Sequence, residues 1–217
     1  MTPIQFAGEE GKGLKVLCLG AHCDDIEIGC GGSILKLINA GLVQELQWIV
    51  FASNPVRKKE AERCAGLFLE GLENQKVTVL NYRDAFLNFS ALEIKEYFES
   101  VKGAFAPDLI FTHYRNDRHQ DHRLISDLTW NTFRNHLILE YEIPKYDGDL
   151  GIPNCFIQLT ETLAEKKIKF LLEGFPSEKN KHWFDRETFL ALMRIRGLES
   201  ANNHKYAEAF HARKLII

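Results

Sequence analysis

Two apolar runs that end in the same chemistry constrain this chain most. Lys15-Val16-Leu17-Cys18-Leu19 leads into Ala21-His22-Cys23-Asp24-Asp25, and Asp108-Leu109-Ile110-Phe111-Thr112 leads into Asn116-Asp117-Arg118-His119-Gln120-Asp121-His122. Short apolar runs of this kind read as strands buried on both faces. Histidine and aspartate at the ends of two such strands sit where an open α/β sheet gathers its functional groups.

The segments between them fit that architecture. After the strand Lys15–Ala21, a glycine-rich turn, Gly29-Cys30-Gly31-Gly32, leads into a helix over 33–40, with Ser33 placed to cap it and Gly41 past its end. Leu46–Ala52 is a second strand. Pro55 breaks the chain before a helix, Val56–Leu69, on which Ala61, Ala65 and Phe68 recur at helical spacing. A third strand, Lys76–Tyr82, precedes a helix opened by Ser90 and Glu93 at capping-box spacing and running to Gly103. Pro107 precedes the fourth strand, and His122–Phe133 is the next helix. This alternation predicts an α/β fold, a mostly parallel sheet with helices on both faces. The last third differs. Glu140–Tyr146 and Asn154–Leu159 read as extended, and Thr160–Gly174 and Arg186–Arg196 as helices, giving a C-terminal α+β appendage. Gly174–Trp183 reads as a mobile surface loop. No linker or repeat separates this part, so residues 1–217 are expected to form one domain, a size of roughly 200–250 residues being ordinary for a single α/β unit.

Composition narrows the partners. The formal net charge is −3 and lysine and arginine are scattered, so no nucleic-acid partner is expected. No apolar run approaches the ~18–20 residues of a membrane span, and the first residues lack the pattern of a secretory signal. Five widely spaced cysteines, an odd number, read as reduced thiols and a cytoplasmic location.

Spacing suggests a division of labour. His22 and Asp25 are three apart where a strand gives way to a turn, so both can face one point, and Asp24 must point elsewhere. His119 and His122 are also three apart and share a face if they open a helix. Asp121 is close enough to support an imidazole. Three metal ligands and three helpers can be drawn from this set, the composition of a hydrolytic metal site in which a carboxylate takes a proton from water and a histidine faces an oxyanion. Which histidine binds metal does not follow from spacing.

The two segments together resemble the PIG-L/LmbE-like zinc-dependent de-N-acetylases. The family signature Ala-His-Pro-Asp-Asp before a glycine-rich helix start stands here as Ala21-His22-Cys23-Asp24-Asp25-Ile26-Glu27-Ile28-Gly29-Cys30-Gly31-Gly32. The His-x-Asp-His signature, with Asn-Asp before it, stands as Asn116-Asp117-Arg118-His119-Gln120-Asp121-His122. Arg196-Gly197 and Tyr206–Phe210 are similar to the tail of bacterial members. The resemblance implies a Rossmann-like, LmbE-like sheet. It implies that His22, Asp25 and His122 bind Zn²⁺, that Asp24 is the general base, that His119 stabilises the oxyanion and that Asp121 orients His119. It implies removal of an acetyl group from an N-acetylglucosamine-type sugar, giving a free amine and acetate, and it favours a homo-oligomer. Imidazole and carboxylate suit Fe²⁺ as well as Zn²⁺.

One position departs from the signature. Cys23 replaces its proline; the thiol is a stray-ligand candidate, although it neighbours His22 and should face away. Arg83, Asp117 and Arg118 are candidate substrate contacts, with an Arg83 ion pair to Asp84 or Glu27 as the competing reading. His113 is expected as a satisfied rim histidine rather than a fourth ligand. The glycine-rich segment lacks the order of a phosphate-binding loop, and close helix–sheet packing explains it better. Competing functions are another metal-dependent amidase or phosphoesterase, or a non-catalytic sugar- or nucleotide-binding module.

Overall fold

The computed structural model describes residues 12–201 and 203–216. A seven-stranded sheet runs through it. In chain order the elements are β1 (Leu14–Gly20), α1 (Asp25–Asn39), β2 (Val43–Ala52), α2 (Pro55–Phe68), β3 (Gln75–Tyr82), α3 (Ala91–Ala104), β4 (Leu109–His113), α4 (Gln120–Thr132), β5 (Leu137–Tyr141), β6 (Cys155–Leu159), α5 (Glu161–Gly174), α6 (Arg186–Glu199) and β7 (Tyr206–Ala212). The strand order is β3-β2-β1-β4-β5-β7-β6. The first five strands are mutually parallel, and β7 lies antiparallel between β5 and β6.

This order locates the site. The chain leaves β1, builds β2 and β3 on one side, then crosses to lay β4 on the other side of β1. The reversal leaves a crevice beyond the C-terminal ends of β1 and β4, the place where open α/β sheets bind ligands. Both His/Asp segments leave the sheet there.

Alternation along β1 divides the core. Val16 and Cys18 join the cluster packed by α1, α2, α5 and α6. Leu17 and Leu19 point to the opposite face, with Ile94 and Phe98 of α3 and Ile125 of α4. Helices therefore cover both faces, as the alternation predicts.

Three elements differ from the sequence reading. The first helix begins at Asp25 rather than Ser33, so the glycine-rich segment is helix interior. Its glycines are there for contact. A Cβ on Gly29 would stand 2.2 Å from Tyr141 Cδ2, one on Gly31 2.6 Å from Phe68 Cε1, and one on Gly32 2.5 Å from Leu159 Cδ1. Backbone-level packing outweighs the helix cost of about 1 kcal/mol per glycine. Ser33 caps nothing; with Gly32 N and its own backbone N–H, its hydroxyl donates to buried Glu208. Ser90 precedes α3 without a capping hydrogen bond. Residues 174–183 do not form a free loop. Phe175, Glu178 and Phe184 are buried, and a 3₁₀ turn at Pro176–Glu178 presses on α2.

Candidate metal centre and active site

His22 and Asp25 leave the end of β1 in one tight turn, and His122 stands in the first turn of α4. Their side chains converge. His22 Nδ1 lies 3.1 Å from His122 Nε2 and 3.3 Å from Asp25 Oδ2, and His122 Nε2 lies 3.5 Å from Asp25 Oδ1. With metal–ligand bonds of about 2.0–2.1 Å, ligand atoms around a tetrahedral ion stand roughly 3.3–3.4 Å apart. Two imidazoles and a carboxylate at that mutual spacing fit a divalent cation.

The surroundings strengthen the fit. Burial works to lower the pKa of His22, but Asp25, Asp121 and Asp84 together hold it well above the ordinary histidine value. The field that would keep a proton on His22 attracts any cation. Asp25 is the converse: burial works to raise its pKa, and the His122, His113 and His22 rings hold it well below the ordinary carboxylate value. His119 brings a third imidazole within reach of His22 and His122, and two further groupings close by are Asp25 with His113 and His122, and His22 with Asp84 and Asp121.

Asp24 turns away from this cluster. Its Oδ1 meets Arg57 NH2 at 3.2 Å, and burial raises its pKa despite that guanidinium. A carboxylate beside the metal-ligand cluster, buried and displaced toward neutrality, is suited to accept a proton. His119 caps α4 and accepts from Asp121 N at 3.3 Å, which leaves its other ring nitrogen available. Burial, then His122 and His22, lower its pKa.

Several expected roles need correction. The Asp121 carboxylate does not orient His119. It accepts from Ala85 N at 2.8 Å and Leu87 N at 3.2 Å and stands 3.3 Å from His22 Nε2, so it braces the first motif and the loop after β3. Asp117 and Arg118 line no part of the cavity. Asp117 is 2% exposed, and its Oδ2 stands 2.9 Å from His122 Nδ1 and 2.7 Å from Lys145 Nζ. A carboxylate behind a ligand histidine fixes the tautomer that leaves Nε2 free for metal. Arg118 N donates to Asp149, and the residue is exposed. Arg83 lines the cavity, but its guanidinium stacks 3.7 Å from the centre of the Phe86 ring rather than pairing with Asp84 or Glu27. His113 is fully buried rather than at the rim; its Nε2 accepts from Ala21 N at 2.9 Å and stands 3.2 Å from Asp25 Oδ2, while its buried Nδ1 has no hydrogen-bond partner among the described residues, so it is not the satisfied histidine expected. Burial pushes the Cys23 thiol up to about 12, and the thiol faces Ala52 O, so it stays protonated and away from the cluster. The five cysteines form no disulfide.

The cavity over this cluster has a volume of 710 Å³. Its walls include residues the sequence reading missed: Arg57, Asp84, Lys145, Glu178 and Trp183. Arg57 follows the end of β2, so the rule that drew attention to β1 and β4 could have found it. It bridges Asp24 to Glu178, 2.5 Å from NH1. Nothing local in the sequence marks Glu178 or Trp183.

Fold and site together place a His/Asp cluster able to hold a metal ion at the C-terminal edge of an open α/β sheet. Comparison with known proteins is more specific. Residues 17–133 match the PIG-L family, GlcNAc-PI de-N-acetylase, and the chain belongs to that family of deacetylases. A curated relative, the uncharacterized deacetylase YaiS of Escherichia coli strain K12, is 27% identical over 139 residues, 59% of this chain and 74% of the relative. Among solved structures, N,N'-diacetylchitobiose deacetylase from Pyrococcus horikoshii superposes with a TM-score of 0.66 at 22% identity, over 92% of this chain and 83% of that one. GalB, the 4-carboxy-2-hydroxymuconate hydratase of Pseudomonas putida KT2440, superposes with a TM-score of 0.70 at 14% identity, over 94% and 98%. The same fold thus carries more than one reaction. No helix among the described residues is long and apolar enough to cross a membrane.

Proposed function

We propose that this protein removes the acetyl group from an N-acetylated amino sugar of the N-acetylglucosamine type, with Zn²⁺ held by His22, Asp25 and His122. The observation that carries the reading is the convergence of the two imidazole nitrogens on the Asp25 carboxylate, with His22 Nδ1 3.1 Å from His122 Nε2 and the two Asp25 oxygens 3.3 and 3.5 Å from one ring nitrogen each, and Asp24 lining the same cavity. His22, Asp25 and His122 would hold the divalent cation, which when bound would polarise the acyl oxygen and lower the pKa of a water molecule. Asp24 takes the proton from the attacking water and returns it to the amine as the C–N bond breaks. His119 faces the oxygen on which negative charge develops. Asp117, behind His122, and Asp121, behind His22, hold the two imidazoles in place.

The cavity supports a sugar-sized substrate: pockets of about 300–1,000 Å³ accept small molecules. Its wall mixes Arg57, Arg83 and Lys145 with the Trp183 ring, donors for hydroxyls beside a face for a pyranose. Unpaired thiols fit a reducing, cytoplasmic setting. The hydratase on this fold makes the reaction itself the thing to test.

The decisive experiment is amine release from a panel of N-acetylated sugars by zinc-reconstituted protein, with Asp24→Asn as control. Release that disappears in the control supports the proposal. Equal release from both proteins overturns the role of Asp24. In parallel, His122→Ala should lose bound zinc, and unchanged zinc stoichiometry would remove it from the ligand set.

A further inference from the structure

The loop after β4, the end of α4 and the residues after β7 meet in a second, open pocket of 350 Å³. It shares no lining residue with the catalytic cavity. Arg115, Arg134, Arg213 and Lys214 line it around Trp130, with Asp127 as the acidic residue of the lining.

The carboxylate beneath these cations is already fully used. Glu140 is completely buried. Its Oε1 accepts from Trp130 Nε1 at 2.6 Å and Arg213 Nε at 2.6 Å, and its Oε2 accepts from Arg115 N and Arg213 NH2, both at 3.0 Å. Four donors occupy the four lone-pair sites a carboxylate offers, so Glu140 neutralises Arg213 and has nothing left for the others. Of the four lining cations only Arg213 has a carboxylate within ion-pair distance among the described residues. Arg134 Nε and Lys214 Nζ reach only main-chain carbonyls, of Asn131 and Arg134. The Arg115 guanidinium carbon and the Lys214 ammonium stand 5.1 and 5.5 Å from the centre of the Trp130 ring. Arg115 Nε is buried and has no acceptor.

A buried guanidinium donor without an acceptor is rare and unfavourable. Here it stands in a pocket beside two further unneutralised cations. Arg115, Arg134 and Lys214 all line the open pocket, and a planar guanidinium fork with a neighbouring ammonium matches the oxygens of a phosphate. We infer that this pocket binds the phosphate group of a small phosphate monoester. The rest of its volume takes the organic part. The inference is independent of the deacetylase reading, since it shares no residue with that site.

Calorimetric titration of the intact protein with inorganic phosphate and with glucose 1-phosphate, in chloride buffer at constant ionic strength, tests it. We expect saturable binding of both, the monoester at least as tight as inorganic phosphate. Arg115→Ala should weaken the Kd tenfold or more. Arg134→Gln with Lys214→Gln changes two exposed side chains, should do the same, and keeps the test valid if Arg115→Ala folds poorly. Absence of binding, binding unchanged in the folded variants, or refusal of the monoester overturns the inference.

Discussion

The parallel and antiparallel parts of the sheet do different work. In the parallel part, β1 and β4 deliver all three proposed metal ligands and the proposed base at their C-terminal ends, within segments of a few residues. The part built from α5, α6, β6 and β7 supplies none of them. It supplies Glu208 and Lys167, which tie α1 to α5 and β7, and Glu178, which bears on Arg57 and so on Asp24. Chemistry is concentrated where chain neighbours suffice. The second part holds that chemistry in place and closes the cavity around it.

That division can be broken by mutation. Asp24→Asn should lower turnover by about 10²–10⁴-fold while zinc stoichiometry stays at that of the parent; a variant that turns over normally would remove the base from the parallel half. Lys167→Met, in the other half, should cost about 3–5 kcal/mol by breaking a buried ion pair. Urea denaturation measures that loss, and kcat of the folded fraction should stay near the parent. A collapse of kcat without loss of stability would erase the distinction. Asp117→Asn should weaken zinc binding by about 10–100-fold, read by competition with a chelator. Gly29→Ala drives a methyl into Tyr141 and should cost about 1–3 kcal/mol as overpacking.

The smallest effect concerns His211, stacked on Tyr114. Burial lowers its pKa from 6.5 to about 4. Between those values the unfolded chain binds the proton and the folded chain does not, so stability falls as pH drops from 6.5 toward 4. His211→Asn should flatten that part of a Tm-against-pH curve; an unchanged slope would assign it to other groups.

How far the sequence could be read follows the same boundary. The first four strands and the two ligand segments were legible because their signals are local: apolar runs, breaking prolines, and histidine three residues from its partner. The start of α1 is not legible in the sequence because three glycines look like a turn until Tyr141, Phe68 and Leu159, all remote in sequence, are seen against them. The alternation of Tyr206, Glu208 and Phe210 with alanine is the local mark of β7, but its pairing with β5 and β6 is non-local. Asp117 and Asp121 were recognised as site residues, yet their partners, His122 with Lys145 and His22 with two backbone amides, depend on three-dimensional approach. Arg115 carries no sequence signal, since what singles it out is a carboxylate filled by four donors, none of them from its guanidinium.

The glycine row of α1 bears on how such a protein can change. Asp25 begins this helix, and its next two turns touch three neighbours through bare backbone. Almost any side chain added there would shift the helix and the carboxylate with it. Change of substrate is therefore expected at the cavity wall away from α1, at Arg83, at Ile143, Pro144 and Lys145, and at Lys181 and Trp183, where replacements alter the shape of the opening and leave the converging His22, Asp25 and His122 side chains where they are.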